Sequence, residues 1–599
     1  MEDEEGVPIV GATVHIKGTI NGTITSLDGK YELETDQNEG LLVVSFVGYE
    51  TAETNFGLSN EFLVITLKTS NNNLGEVIAI GYGTAKRKDL TGAVAMVENM
   101  EQINSRAVTT FNDFLQGSVA GVTVVQQGGD PTNEASIIIR GVGSFNNEKP
   151  LYVVDGMPYY GGTINPNDIE SVTILKDAAS AAIYGAQASS GVIVITTKSG
   201  KAGKPVITID AFAGIQQAMN LPTPLTAEEQ NWAYNTAADN SGATRNPARN
   251  PELNPWGNTT RTNWIDEIFR NAAIYNTNVS LSGGNDKGRY SASFNYQDKE
   301  GLLIGTSAKR IGVRLKSEYN LTEKLLIGEN FYAVNQEAIG TNTSSPYSGT
   351  IINAVYMPSA ASVYDEEGNF HGVAPEGSVY AGAYGDVYNP VALLLRPTTK
   401  NPITNIDGNI YGEYAILKGL KFRSSFSLSQ RNYEYKKFTP KIPENGRPSE
   451  MNYLTQSWSK TNKWVWDNQI TYSKALGNHQ LEVTGVSSAQ FTRYEYNNVN
   501  AQDFAREEEW YQFLGNAGEI PSYGGDSYED ALYSIIGRLR YSFMDKYFIT
   551  GSIRRDQTSR LAKSNNSDVF PSASLAWVIS NEPFLKNSNW LDNLKLRAS

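Results

Sequence analysis

From residue 205 onward, apolar and polar side chains alternate with a period of two in one short stretch after another. In IYNTNVSLSG, Tyr275, Thr277, Val279 and Leu281 fall on one face, and Asn276, Asn278, Ser280 and Ser282 on the other. RYSASFNY sets Tyr290, Ala292, Phe294 and Tyr296 against Ser291, Ser293 and Asn295. RIGVRLKSEY sets Ile311, Val313, Leu315 and Tyr319 against Arg310, Arg314, Lys316 and Glu318. LKFRSSFSL repeats the pattern, with Leu420, Phe422, Phe426 and Leu428 opposite Lys421, Arg423, Ser425 and Ser427. Successive side chains of a strand point to opposite sides, so these segments predict strands with one apolar face and one polar or charged face. Similar stretches near 403–414, 462–473, 479–491, 531–543, 546–555 and 571–579 bring the expected number to about a dozen.

The connections alternate in length. Short ones are expected at 283–288, 321–324, 415–419, 474–479 and 544–546; long ones at 218–272, 298–309, 337–402, 432–461, 493–530 and 556–570. Short turns at one end and long loops at the other suit an outer-membrane barrel, and ten residues tilted by about 45° cover roughly 23 Å of bilayer. A soluble sandwich alternates faces too, but has no reason to alternate loop lengths. An unpaired backbone group in lipid costs several kcal/mol, so strands cross a membrane only in a closed sheet. No run reaches the eighteen or so apolar residues of a membrane helix.

Upstream the pattern differs. Residues 1–68 contain short strands (PIVGATVHIKGT, TITSLDGKYELET, LLVVSFVGYET, FLVITLK) with a turn signal at Asp28-Gly29, and predict a small β-sandwich. TSNNNLG and EVIAI make a linker over 69–80. Residues 81–204 mix helix and strand: a short helix over Asn112 to Gln116, buried strands in SIIIRGVG, LYVVDG and GVIVITTKSG, and a helix in DAASAAIYG capped by Asp177 and stopped at Gly185.

Composition narrows the function. The 599 residues carry 64 acidic against 50 basic side chains, a net charge of −14, which excludes a nucleic-acid surface built on clustered Lys and Arg. With no Cys there is no disulfide framework, thiolate metal site or Cys nucleophile. His15, His371 and His479 lie too far apart in sequence to form a metal motif, so no metal or other cofactor is expected. Carboxylates are plentiful, yet none falls in a catalytic motif, and no enzyme is expected. The 33 Tyr suit a β-rich protein at an interface.

Four long stretches then become recognisable: LGEVIAIGYGTAKRKDLTGAV (74–94), LQGSVAGVTV (115–124), ASIIIRGVGSFNNEKPLYVVDGMPY (135–159) and INPNDIESVTILKDAASAAIYGAQASSGVIVITTKSGK (164–201). They resemble the SusC/RagA type of TonB-linked outer-membrane protein. Residues 1–68 are similar to the carboxypeptidase-regulatory-like domain that precedes the plug in that family. The resemblance implies a plug over 81–204 inside a barrel of 22 strands, of which 205–599 supplies the first part, about 12 strands. On that expectation the chain looks truncated, without its signal peptide and about half the barrel, and exposes two sheet edges.

The resemblance also implies active import of oligosaccharides or oligopeptides across a Bacteroidetes-like outer membrane, powered by TonB and lidded by a SusD-like surface lipoprotein. Glu76, Val77, Ile78, Ala79 and Ile80 are read as the TonB box, an extended apolar peptide able to add to a partner's sheet; an ordinary first strand of the plug is the other reading. Arg140 and Asp155 are charges among apolar strand residues that need partners in the plug or on the barrel's polar face, while Gly141, Gly143 and Gly156 serve tight turns. The loop over 354–390 mixes Tyr, Asp, Asn and Gly in a way that suits sugar stacking, peptide binding or docking of a partner, and no substrate residue is assigned. A siderophore or cobalamin receptor, and a surface glycan-binding protein or adhesin without transport, are the alternatives.

Overall fold

A computed structural model describes residues 1–599 except 4, 5, 18, 20, 27, 47, 48, 50, 51, 58–61, 69–76, 87, 88, 98–107, 109, 126–128, 132–134, 142–148, 160–163, 344, 586, 587, 589 and 592. Chain contacts divide it into two units, Met1–Ile78 with Thr84–Leu90, and Ala79–Gly83 with Thr91–Ser599.

In the first unit a four-stranded antiparallel sheet runs in the order Gly22–Ile24, Thr13–Ile16, Glu39–Ser45, Ala52–Gly57, beside a short parallel pair, Glu2–Asp3 with Thr66–Leu67. Val14, Ile16, Leu42, Val44, Ile65 and Leu67 form its core. The Asp28-Gly29 turn is present, with Gly29 at φ 71° donating to the Ser26 carbonyl, but the residues after it are irregular rather than strand.

The second unit is built on one large antiparallel sheet whose strands follow in chain order. We number them β1 (Gly203–Gln216), β2 (Ala272–Gly284), β3 (Gly288–Glu300), β4 (Ser307–Asn320), β5 (Leu325–Ile339), β6 (Pro402–Leu417), β7 (Leu420–Thr439), β8 (Tyr453–Leu476), β9 (His479–Phe504), β10 (Ala517–Phe543), β11 (Tyr547–Thr558), β12 (Ser567–Val578) and β13 (Lys595–Ala598). A further segment, Thr398–Lys400, pairs with β7 beside this path. The predicted alternation becomes two faces: Ile311 and Leu315 are exposed outside while Arg310 and Arg314 are buried inside. Several strands run far past a membrane thickness, so much of what reads as loop at 432–461 and 493–530 is paired sheet, leaving connections at 440–452 and 505–516. Outside the lipid an apolar face is no longer required, and the period-two signal fades while the ladder continues.

Aromatic rows mark two levels on the outer face. Trp464 stacks between Phe426 and Phe491 at 6.4 and 5.9 Å. Near the short turns, Tyr547 stacks between Phe543 and Trp577 at 6.3 and 6.4 Å, and His479 lies 4.6 Å from Phe543. Along β9, His479 and Phe491 are separated by roughly 28 Å of bilayer normal, close to the apolar band of such barrels.

Residues 91–197 fold against the polar inner face. Their sheet has the order Met157–Tyr159, Leu151–Val154, Val192–Thr197, Ile169–Leu175, Val94–Met96, with only the Leu151–Val154 and Val192–Thr197 pair parallel. Phe114, Leu115, Val172, Ile174, Ile193 and Ile195 fill its core. Helix Phe111–Leu115 carries a Thr110 cap, one residue earlier than predicted at its start. Asp177 caps the second helix by accepting from Ser180 N at 2.9 Å, and Gly185 at φ 70° kinks rather than ends it.

The lengthwise spacing of the aromatic rows generates a test. Ile553, exposed on the outer face of β11 between the two levels, is expected to tolerate Leu. Ile553→Arg is expected to cost about 2–4 kcal/mol of folding free energy in bilayers, read by denaturant titration.

Candidate functional site

The site is the contact between the inner face of the sheet and the folded segment it encloses. Asp155 and Gly156 form a two-residue hairpin loop between Leu151–Val154 and Met157–Tyr159, at φ 49° and 86°. Both residues in the left-handed region is the signature of a type I′ turn, which Asp-Gly adopts readily. The turn delivers the Asp155 carboxylate to Thr197, which donates from N at 3.0 Å and Oγ1 at 2.6 Å, and to the wall. There Lys316 Nζ of β4 lies 3.0 Å from Oδ1, and Asn330 Nδ2 of β5 donates to Oδ2 at 2.5 Å. Burial pushes the Asp155 carboxyl up, but Lys316, Arg314 and the Thr197 donors outweigh it and hold the acid below its ordinary range.

A second pair lies beside the first. Asp168, on the short helical turn Pro166–Asp168, meets Arg314 of β4 at 3.3 Å, both side chains 6% exposed, and accepts from Ser293 Oγ of β3 at 2.7 Å. Arg314 also lies over the Tyr332 ring and donates to Asn330. Asn165, which caps that turn, donates to Asn278 of β2 at 2.9 Å.

Arginines on the opposite part of the wall grip backbone rather than side chains. Arg538 of β10 donates to the Gly81 carbonyl at 2.7 Å and the Tyr82 carbonyl at 3.1 Å, and Gln469 of β8 adds a bond to Tyr82 O at 3.1 Å. Arg554 of β11 donates to the Ile183 carbonyl at 2.6 Å while its Nε is held by Asp556 at 2.6 Å. Gly185 sits so close to these two side chains that a Cβ there would strike both, so its lack of a side chain serves the approach as well as the kink.

Of the residues singled out in the sequence, Asp155 comes to this interface from a turn whose second residue, Gly156, is exposed, whereas Arg140 (φ 58°) and Gly141 (φ 97°) are exposed and follow strand Ser136–Ile139. Gly143 and Glu76 lie outside the described residues. Val77–Ala79 is a strand paired with Thr84–Lys86, and Ile80 N donates to Gly83 O at 2.9 Å across the turn. Arg538, Arg554, Gln469 and Asp168 were not singled out; the lumen-side parity of RLRYSF held a signal for Arg538, but nothing local marks its partner.

Over the long-loop end, 217–271 and 340–401 form a packed layer. Trp264, Ile265, Ile268, Met357, Ala361, Val373, Tyr384 and Val391 are buried together. Asn254 donates to Tyr384 Oη at 2.7 Å, and Arg249 lies over the Tyr234 and Tyr384 rings. Arg396 grips Glu444 with two bonds, 2.8 and 2.9 Å. Trp232, Tyr347 and Tyr356 stay exposed. No group of three or more His, Asp and Glu suited to a metal ion occurs among the described residues.

Comparison with known proteins follows from this geometry. Residues 86–192 match the TonB-dependent Receptor Plug Domain family and residues 1–79 the CarboxypepD_reg-like domain family. TonB-dependent receptor P3 of Formosa agariphila is 30% identical over 100% of this chain and 58% of its own length. TonB-dependent receptor SusC of Bacteroides thetaiotaomicron is 29% identical over 100% of this chain and 60% of its own. The RagAB peptide transporter superposes with a TM-score of 0.72 at 25% identity, over 85% of this chain and 60% of the other. The chain thus spans about three fifths of the length of these relatives.

The Asp155 pair carries a prediction with a defined sign. A carboxyl held below its unfolded pKa stabilises the plug above pH ~4 and loses that contribution as pH falls through the folded value. Asp155→Asn, which leaves Lys316 poorly compensated, is expected to cost about 3–5 kcal/mol. Hydrogen-exchange protection of Leu151–Val154 and Val192–Thr197 should fall in the variant at neutral pH, and the acid-induced loss seen in the unaltered protein should shrink.

Proposed function

Because the chain belongs to the SusC/RagA-type TonB-dependent receptors, we propose that it forms part of an outer-membrane importer that takes up oligosaccharides or oligopeptides, draws energy from TonB and closes with a SusD-like surface lipoprotein. The reading rests on one observation: the folded segment touches the wall through ion pairs, carboxamides and arginine-to-carbonyl bonds, with an apolar contact at Val486 and Ile536 beside them. The polar contacts exchange with water at small net cost, about 0.5–1.5 kcal/mol for a typical hydrogen bond, whereas apolar packing of the same extent resists separation. An occluding plug held this way can be displaced by work and can return.

The outer membrane has no nucleotide supply, so the work must arrive through a protein. Glu76 to Ile80 serves as the TonB box, its strand adding to the partner's sheet. Substrate meets the loop layer first, where Trp232, Tyr347 and Tyr356 offer rings for stacking on sugars or packing on a peptide. The same layer has a buried apolar core of its own, with Asn254 bonded to Tyr384 inside it. Likeness to the RagAB peptide transporter makes oligopeptides the first class to try. Asp155, Gly156, Arg140 and Gly141 act structurally within the plug.

Uptake of labelled oligopeptide and oligosaccharide pools by cells expressing the complete protein tests this. Internalisation should stop when a protonophore collapses the inner-membrane gradient. Deleting residues 76–80 should abolish internalisation and leave binding at the cell surface. Binding without gradient-dependent internalisation in the unaltered protein would identify a surface adhesin, and uptake confined to ferric complexes or cobalamin would identify the siderophore-type reading.

A further inference from the structure

On β7 to β10 the ladder continues past the Trp464 row toward the long-loop end, with no register shift as far as Thr455 of β8 and Asn500 of β9. The parity that sets Val486 of β9 and Ile536 of β10 against the enclosed segment therefore assigns the inward side chains of this extension as well. Three successive rows of it share one composition. Arg431 of β7 pairs with Thr461 and Thr461 with Tyr494; Tyr433 pairs with Ser459 and Ser459 with Tyr496. In the third, Tyr435 pairs with Ser457 and Ser457 with Asn498. Each row sets a small hydroxyl residue of β8 between two long side chains, on strands about 10 Å apart. A fourth row, Lys437, Thr455 and Asn500, ends the series, with Thr455 donating to Asn500 at 2.9 Å. The result is a groove about 20 Å long that runs along β8, with a hydroxyl floor and walls of tyrosine, asparagine and two cations.

The walls are supported from behind, while their polar ends are unused. On the opposite face Phe438, Leu454, Ala501 and Phe504 are buried together, with Tyr511 and Leu514 packed against them, which stiffens the strands. Burial pushes the Tyr433 phenol up, opposed by Arg431 and reinforced by Tyr496, so these three side chains gather over the floor. Among the described residues, Arg431 and Lys437 form no ion pair, and the hydroxyls of Tyr433, Tyr435 and Tyr496 form no hydrogen bond. The nearest acids on this face stand beyond β9, on β10: Asp526 is paired in register with Tyr496, and Asp530 is taken by Arg560 at 2.7 Å. In a chain of net charge −14 the groove itself is lined by cations and neutral groups alone.

A peptide is recognised through its main chain at a free sheet edge and through pockets for alternate side chains. Here β8 is paired on both sides, and none of the lining residues is aliphatic. A glycan offers what the groove can use, hydroxyls for the floor and apolar ring faces for the tyrosines. We propose that this groove binds acidic oligosaccharides, bearing uronate or sulfate, with sugar rings stacked on Tyr433 and Tyr496 and anionic groups at Arg431 and Lys437. The inference rests on the reading of the chain as part of an importer and names its substrate class.

The complete protein in detergent micelles is titrated calorimetrically with oligogalacturonate and with alginate, chondroitin sulfate and heparin fragments. A malto-oligosaccharide and oligoglutamate serve as the neutral and the peptide probe. At least one acidic glycan should bind, and more tightly than either of these. Ser459→Trp, which fills the floor, should abolish that binding. Arg431→Gln with Lys437→Gln should weaken it about tenfold and flatten its dependence on salt. Tyr433→Ala should weaken it by a similar factor and leave the salt dependence alone, a split that general damage would not produce. Absence of binding across the acidic panel overturns the proposal, as does binding unchanged in Ser459→Trp with heat-modifiable gel mobility intact. Equal affinity for the neutral chain, or groove-dependent binding of oligoglutamate alone, overturns it too. Should Ser459→Trp misfold, Tyr433→Ala must weaken binding or the proposal fails. In cells, groove-dependent binding without gradient-dependent uptake sinks the importer reading alone, whereas uptake of acidic glycans unaffected by Ser459→Trp sinks the groove alone.

Discussion

The constraint on which everything else hangs is that lipid offers the peptide backbone no hydrogen-bond partner. An antiparallel sheet satisfies each strand through its neighbours and presents side chains to both sides, one toward hydrocarbon and one toward the interior. The outward row of Ile, Leu and aromatic residues and the inward row of Asn, Ser, Arg and Lys are two results of the same pleat. A polar interior of this width must be filled by water or by something polar. Residues 91–197 meet that requirement with a core of their own, a second apolar cluster shared with Val486 and Ile536 of the wall, and a polar surface that answers it.

How the wall answers differs between its two parts. On β2 to β5 a lysine and an arginine face two aspartates with asparagines between them, and Lys316 and Ser291 add bonds to the carbonyls of Thr197 and Lys198. On β8 to β11 guanidinium groups reach main-chain carbonyls at Gly81, Tyr82 and Ile183. Arginine suits both tasks, since its planar fork of donors keeps its charge and can serve two acceptors at once. A grip on carbonyls depends on backbone conformation more than on residue identity, whereas a carboxylate pair fails when either partner is changed.

Legibility in the sequence followed the physics of each region. Alternation exposed β2 to β4 and β7 because burial on one side forces a period of two: Asn276, Asn278, Arg310 and Arg314 lie inside as their parity requires. The extension of β8, β9 and β10 beyond the lipid was not legible, because both faces of those stretches are wet and register is inherited from the neighbour. Helix Ala227–Ser241 was missed although Thr226 and Glu229 make a capping box and Gly242 a left-handed cap; its apolar face is weak and the segment lay between strands. Asp155 stood out as a charge in an apolar run, yet its partner Lys316 lies 161 residues away and only the folded register brings them together. Asp168 sat unremarked among polar neighbours, and no local pattern distinguishes it.

The packed layer made by 217–271 and 340–401 bears on how such a protein diversifies. Trp264 donates from its indole to Pro358 O at 2.9 Å, and Arg249 of the first segment bonds Ala383 O of the second at 2.9 Å, so each segment is part of the other's scaffold. Residues on its outside are free to vary one by one. Those beneath must drift in concert, and a graft of one segment from a relative onto this framework would bring mismatched halves of a single core. Variation in this layer should therefore come as scattered changes on the crust, with the two segments inherited as a block.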